Sequence, residues 1–235
     1  MIERIIIDKS SIIGKILFFE EVDLTQFENH AIPLFGPNGV GKSTLLEGIE
    51  TRGRGLKYEG ITVKCTPDIK TMMYSYRNGA DNLKSCEPRS YELSFNPVYM
   101  LRRMNVQNMS EGQSIIYSMY DLLDGLSSSK NGIEIGDDEH CVIALDEIDS
   151  GLSIDNIDKT MRRIKHILSK RPNVQFIFSF NSPRVLRWFP EVLSMYDGTK
   201  IKLHTEDDMM DQIHQHQKMF DRVRKDSRGR PKVFE

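Results

Sequence analysis

The hydrophobic rhythm of the chain alternates between short apolar runs of strand length and longer stretches with a helical period. Residues 4–8, 12–19 and 22–24 read as strands, and Ala31 to Phe35 is an apolar run that stops at Gly36. A glycine-rich loop follows, and residues 43–49 then read as a helix. Gly53, Gly55 and Gly60 break any helix in the next stretch, where residues 61–65 and 71–76 are rich in strand formers and residues 78–82 read as a loop. Ser110 opens a helix with Ile115, Met119, Leu122 and Leu126 on one face, and a polar loop covers residues 125–136. Residues 141–145 form a wholly apolar strand. Ile157, Met161, Ile164 and Leu168 line one face of a helix that stops near Arg171-Pro172-Asn173, and residues 174–180 form another apolar strand.

Strands alternating with helices predict an α/β fold, a mainly parallel sheet flanked by helices with a β-rich N-terminal part. After Lys202 the sequence turns polar. Residues 209–223 suit an amphipathic helix, and residues 222–232 a loose basic tail broken by Gly229 and Pro231. The expected organisation is one head over residues 1–203, followed by a C-terminal helix and tail over 204–235.

Composition narrows the class of function. With 235 residues, 39% hydrophobic and 28% charged, the chain suits one well-packed soluble domain and not a disordered one. Its net charge of -2 supplies no bulk basic field for nucleic acid, so any DNA contact needs a local patch. Cys65, Cys86 and Cys141 are odd in number and match no zinc spacing, which suits idle thiols in a reducing, cytoplasmic setting. The apolar start, residues 1–8, is too short for a signal-peptide core, and the apolar runs at 141–145 and 174–180 are too short to span a bilayer.

Three short motifs carry candidate chemistry. The first is Gly36-Pro37-Asn38-Gly39-Val40-Gly41-Lys42-Ser43, between a strand and a helix. Glycines let backbone N–H groups crowd around phosphate oxygens, Lys42 reaches the β- and γ-phosphates, Ser43 ligates Mg²⁺, and the helix adds its positive N-terminal end. Thr44 follows directly and belongs to the same nucleotide-binding set. The second is Asp146-Glu147 at the end of the apolar strand, the edge of an open α/β sheet where ligands bind. There Asp146 suits Mg²⁺, and Glu147 suits orienting or deprotonating an attacking water. The third is Ser110-Glu111-Gly112-Gln113, which by itself is an ordinary capping box.

In order and rough spacing these motifs resemble those of the ABC ATPases, over about residues 19–198. Gly36 to Ser43 resembles the Walker A loop, Ser110 to Gln113 the signature, Asp146-Glu147 the Walker B pair and Ser150-Gly151-Leu152-Ser153 the D-loop. The resemblance implies ATP and Mg²⁺ as cofactors and a head-to-tail homodimer that sandwiches ATP. In that dimer Ser110, Gly112 and Gln113 of one head would cap the γ-phosphate held by the other. Glu111 stands where the family has glycine, and Asn181 where it has a histidine that contacts the γ-phosphate. Asparagine hydrogen-bonds but relays no proton, which implies slow hydrolysis with Asn181 as an aligning residue. The Q-loop position falls at about Arg77 or Asn78; no aromatic residue is clearly placed to stack on adenine, and Phe18 and Phe19 are the candidates. Asn181-Ser182-Pro183 followed by Val185-Leu186 is similar to the RecF- and SMC-like branch. That branch implies a partner such as a nuclease and work in DNA maintenance or antiviral defence. Two alternatives stay open: the ATP-binding subunit of a membrane transporter, and a slow ATP-driven dimerisation switch.

Overall fold

Three of the apolar runs lie side by side at the centre of a six-stranded sheet. The computed structural model describes residues 1–51, 58–65, 70–77, 120, 123 and 139–216. Strands β1 (Ile2–Ile7), β2 (Glu21–Asp23) and β3 (Ala31–Phe35) precede helix α1 (Lys42–Thr51). Strands β4 (Ile61–Cys65), β5 (Lys70–Arg77) and β6 (Glu139–Asp146) follow, then helix α2 (Ile154–Lys170). Strands β7 (Val174–Ser179), β8 (Glu191–Ser194) and β9 (Lys200–Lys202) complete the set. The large sheet runs β5-β6-β7-β3-β8-β9, parallel throughout except for the last pair. Every residue of β3 and β7 is buried, as a parallel strand covered on both faces requires. The expected parallel α/β core is therefore present.

The β-rich N-terminal part is a separate antiparallel sheet, β2-β1-β4. Two features tie it to the core. Helix α1 lies so close to β4 that a Cβ on Gly48 would stand 2.1 Å from Ile61 Cδ1. A methyl group there would force the Ile61 side chain to move. The second tie is Gln175, a buried amide on β7. Its Nε2 donates to the Ile2 carbonyl at 2.9 Å, and its Oε1 accepts from the Ile2 N–H at 2.9 Å. One side chain thus satisfies both backbone groups of a residue in the other sheet, as a neighbouring strand would.

The periodicity of α2 was legible: Ile157, Met161, Ile164 and Ile167 are buried, Leu168 packs on them at the margin, and Ser153 caps the first turn. Residues 12–19 are a correction. They form no strand but a 3-10 turn over Ile13–Lys15. The Asp8 carbonyl accepts from the Ser11 N–H and hydroxyl, and Ser11 Oγ in turn accepts from the Gly14 N–H. That turn chemistry curls the chain, so Ile13 and Leu17 are buried four residues apart while Ile12 and Phe18 face outward. The C-terminal helix starts earlier than expected. Residues 206–216 are helical, and Thr205 and Asp208 cap the start reciprocally, with Thr205 Oγ1 accepting from the Asp208 N–H and Asp208 Oδ2 from the Thr205 N–H. Met209 and Ile213 pack on the core, and His216 stacks on Tyr196 with ring centroids 3.9 Å apart. The expected helix face at 115, 119, 122 and 126 and the basic tail lie outside the described residues, although Tyr120 and Leu123 are helical and Leu123 is buried.

Two predictions concern stability. Gln175→Leu leaves the buried Ile2 N–H and carbonyl without partners, at roughly 1–3 kcal/mol for each group. Urea unfolding should show a loss of about 2–4 kcal/mol, and an unchanged midpoint would remove Gln175 as a tie between the sheets. Burial holds the His30, His140 and His216 imidazoles below the ordinary histidine value. Burial likewise holds the Met1 amine below its ordinary 8.0, so the unfolded chain binds more protons as pH falls from about 8, and stability declines further beneath about 6.5 as the histidines add to it. Melting curves from pH 8 to pH 5 check the sign, and a melting temperature that rises on acidification contradicts it.

Candidate functional site

The parallel order β6-β7-β3 brings three strand ends to one edge, and each continues into a loop with chemistry. β3 leads into the loop 36–41 and then α1. This loop turns with positive φ at Gly36, Gly39 and Gly41. Gly41 has two reasons to lack a side chain: its φ is 102°, and a Cβ would meet Leu17 Cδ2 at 2.7 Å. Pro37, Gly41 and Thr44 are half-buried, Gly36 and Val40 are buried, and Asn38, Gly39 and Ser43 face solvent.

Lys42 is buried at 6% exposure, unusual for an ammonium. Its Nζ donates to the carbonyls of Gly36 at 2.6 Å and Pro37 at 3.2 Å. Burial pushes the ammonium below its ordinary value, and the carboxylates of Asp146, Glu147 and Asp149 oppose that shift. The loop therefore holds a positive charge inside a ring of carbonyls, with three carboxylates across the edge.

Those carboxylates follow β6. The β6–β7 ladder ends at Leu145 and Phe178, and beyond it side chains hold the two loops. Ser179 Oγ donates to Asp146 Oδ1 at 2.6 Å and accepts from the Glu147 N–H at 2.6 Å, while the Ser179 carbonyl accepts from the Ile148 N–H. Asp146 keeps its second carboxylate oxygen without a hydrogen bond among the described residues. Glu147 takes φ 48°, the left-handed region, which a residue with a Cβ occupies at a cost of about 1–2 kcal/mol.

Asp149, two residues on, is buried at 6% exposure and accepts from the N–H groups of Asn181 and Ser182. The Asn181 side chain is exposed, so its backbone is fixed and its amide is open. Arg77, the last residue of β5, pairs with Asp146 in the ladder, which brings the expected Q-loop position to the acidic turn, while Asn78 lies outside the described residues. Phe19 is buried at 4% and packs under Gly198, while Phe18 is exposed. Ser110, Gly112 and Gln113 also lie outside the described residues.

The chain matches no family model and no curated protein. Solved structures are similar in fold. An inward-facing ABC transporter of metal-chelate type is similar over 87% of this chain and 85% of its own, at 15% identity and a TM-score of 0.50. The fold is that of the ABC ATPases. A dimeric ATP-binding cassette in a post-hydrolysis state with ADP and Pi is similar over 79% of this chain and 90% of its own, at 15% identity and a TM-score of 0.49. A nucleotide-free ATP-binding cassette from an ABC transporter covers 80% of this chain and 85% of its own, at 13% identity and a TM-score of 0.45.

Within that fold, Ser179 and Asp149 are site residues that the motifs did not indicate. Each acts across more than thirty positions of sequence. The one local hint was Asp149 itself, a third acid three residues after Asp146. The strain at Glu147 gives a direct test. Glu147→Gly and Glu147→Ala remove the same carboxylate, but only glycine relieves the backbone. The glycine variant should be more stable than the alanine variant by about 0.5–1 kcal/mol, after glycine's own entropy cost. An alanine variant that is more stable than the glycine variant would show that the turn carries no strain.

Proposed function

We propose that the chain is an ATP-binding and ATP-hydrolysing ABC-type head that closes on a second copy around ATP. The observation that carries this is the buried Lys42 ammonium, which sits on loop carbonyls and faces the Asp146, Glu147 and Asp149 carboxylates. A buried ammonium whose hydrogen bonds among the described residues are to the loop that encloses it is poised to exchange them for phosphate oxygens. The residues also fit Mg²⁺: the Ser43 hydroxyl is exposed, and Asp146 has an open oxygen. The ion would supply charge neutralisation at the phosphate oxygens and be held by Ser43 and Asp146.

Each residue then has a defined task. The N–H groups of residues 36–44 bind phosphate, and Lys42 neutralises charge there. Glu147, held by Ser179, orients or accepts the proton of the attacking water. Ser110, Gly112 and Gln113 complete the partner's site in the homodimer. Asn181 aligns the water without relaying a proton, so turnover is slow and ATP holds the dimer for long periods. Ser182 caps the 3-10 turn Pro183–Arg187, in which Val185 and Leu186 are buried. This is the segment similar to the RecF- and SMC-like branch, and it favours a stand-alone head that works with an effector such as a nuclease, at DNA or in defence. The second reading, an ATP-binding subunit of a transporter, draws on the transporter at TM-score 0.50. Among the described residues no helix is long and apolar enough to cross a membrane. Copurification with a membrane permease would favour the second reading, and copurification with a soluble effector the first.

Lys42→Ala should weaken ATP binding by at least about a hundredfold in calorimetry, or roughly 2.7 kcal/mol. Near-normal affinity would sink the assignment of the loop. Glu147→Gln keeps shape and removes the base, so it should bind ATP, stop phosphate release and accumulate as a dimer. Light scattering with ATP and Mg²⁺ reads this, and a variant that stays monomeric at high concentration counts against the sandwich.

A further inference from the structure

We propose that Asp149 is a positioning residue that sets the geometry between the acidic turn after β6 and the loop after β7, and so governs turnover through Asn181 and Glu147 while leaving nucleotide affinity alone. This rests on the ATPase function proposed above. The carboxylate is buried, and both of its oxygens are engaged by backbone. Oδ1 accepts from the Asn181 N–H at 3.1 Å, and Oδ2 accepts from the same N–H at 2.9 Å and from the Ser182 N–H. Two consecutive N–H groups aimed at one anion form a small nest.

The bland alternative is that Asp149 merely caps the turn that starts at Pro183. The structure assigns that task elsewhere: Ser182 Oγ itself accepts from the Arg184 N–H at 3.3 Å. Nor is Asp149 needed to join β6 to β7, because their ladder and Ser179 already do so. What Asp149 adds is a second, more distant fixed point. Ser179 holds the loops where they leave the strands, at Asp146 and Glu147. Asp149, three residues after Asp146, holds them at Asn181, two residues after Ser179. One fixed point leaves the second loop free to pivot, and two fix its orientation. The turn that carries Asp149 is itself closed by the Ser150 N–H donating to the Glu147 carbonyl at 2.9 Å and the Leu152 N–H to the Asp149 carbonyl at 3.2 Å. Glu147 and the Asn181 backbone are therefore held on one short rigid segment. The loop 36–41 receives no hydrogen bond from Asp149 among the described residues, and Lys42 is held by the Gly36 and Pro37 carbonyls and faces Asp146 and Glu147 as well.

The experiment uses the full chain, with Asp149→Ala, Asp149→Asn, Asn181→Ala and the Asp149→Ala/Asn181→Ala double variant. Amide hydrogen exchange is read at Asn181 and Ser182, ATP affinity by calorimetry and turnover by phosphate release. Asp149→Ala should expose the two amides to fast exchange while the β6 and β7 amides stay protected. It should lower kcat roughly a hundredfold, the scale of a displacement of about 1 Å, with ATP affinity within about threefold of wild type. Asp149→Asn keeps one acceptor oxygen and should recover part of the rate. The double variant should be no slower than the slower single variant. Unchanged exchange at Asn181 and Ser182 overturns the proposal. So does a rate that falls only in step with ATP affinity or thermal stability, or additive losses in the double variant. A wild type that binds no ATP overturns the ATPase function, and with it the role in turnover. The exchange measurement would still report separately whether Asp149 holds the loop.

Discussion

A buried ammonium needs compensation, and the site is organised around that need. An isolated charge out of water costs several kcal/mol, so Lys42 can stay charged at 6% exposure only with acceptors and opposite charge close by. The loop supplies the acceptors, the carbonyls of Gly36 and Pro37. The opposite charge comes from a different part of the chain, the turn after β6, and it arrives only because β7 separates β6 from β3 in a parallel sheet. Strand order, the glycine conformations of the loop and the acidic turn are thus parts of one electrostatic solution.

The same requirement explains why the connections beyond the strands are so closely bonded. The β6–β7 ladder ends at Leu145 and Phe178, yet the groups with chemical potential, Asp146, Glu147 and Asn181, all lie past that point of it. Loops without a ladder move unless side chains replace it. Ser179 and Asp149 do so with five hydrogen bonds to the opposing loop. That bonding also allows Glu147 to persist in the left-handed region, since strain of this kind survives only where its surroundings over-determine the backbone.

How much of this was legible in the sequence depended on range. The loop 36–43, the apolar strands and the face of α2 are local patterns, and each was readable because glycine spacing or a period of 3.6 encodes it within a few residues. Residues 12–19 misled because a run of apolar residues says strand, while the deciding signal was a polar one, the Asp8–Ser11 turn just before it. The Thr205–Asp208 cap was equally local and went unread beside the stronger amphipathic pattern that follows. Gln175, Ser179 and Asp149 were not legible, because their meaning lies in partners 173, 33 and 32 positions away. On a strand as apolar as β7, a glutamine or serine looks like an imperfection until the group it satisfies is known.

Charge bookkeeping at the edge carries the argument one step further. The Lys42 ammonium faces the three carboxylates of Asp146, Glu147 and Asp149. Asp149 is the exception among the three, because backbone N–H groups already engage both of its oxygens. The remaining charge lies on Asp146 and Glu147. On the proposed function this is where a divalent cation belongs. It also fixes what Asn181 can do. A cationic histidine there would help to neutralise the site; a neutral asparagine cannot. On the proposed function Asn181 would keep the geometric part of the task, which is the part that its backbone anchoring to Asp149 serves.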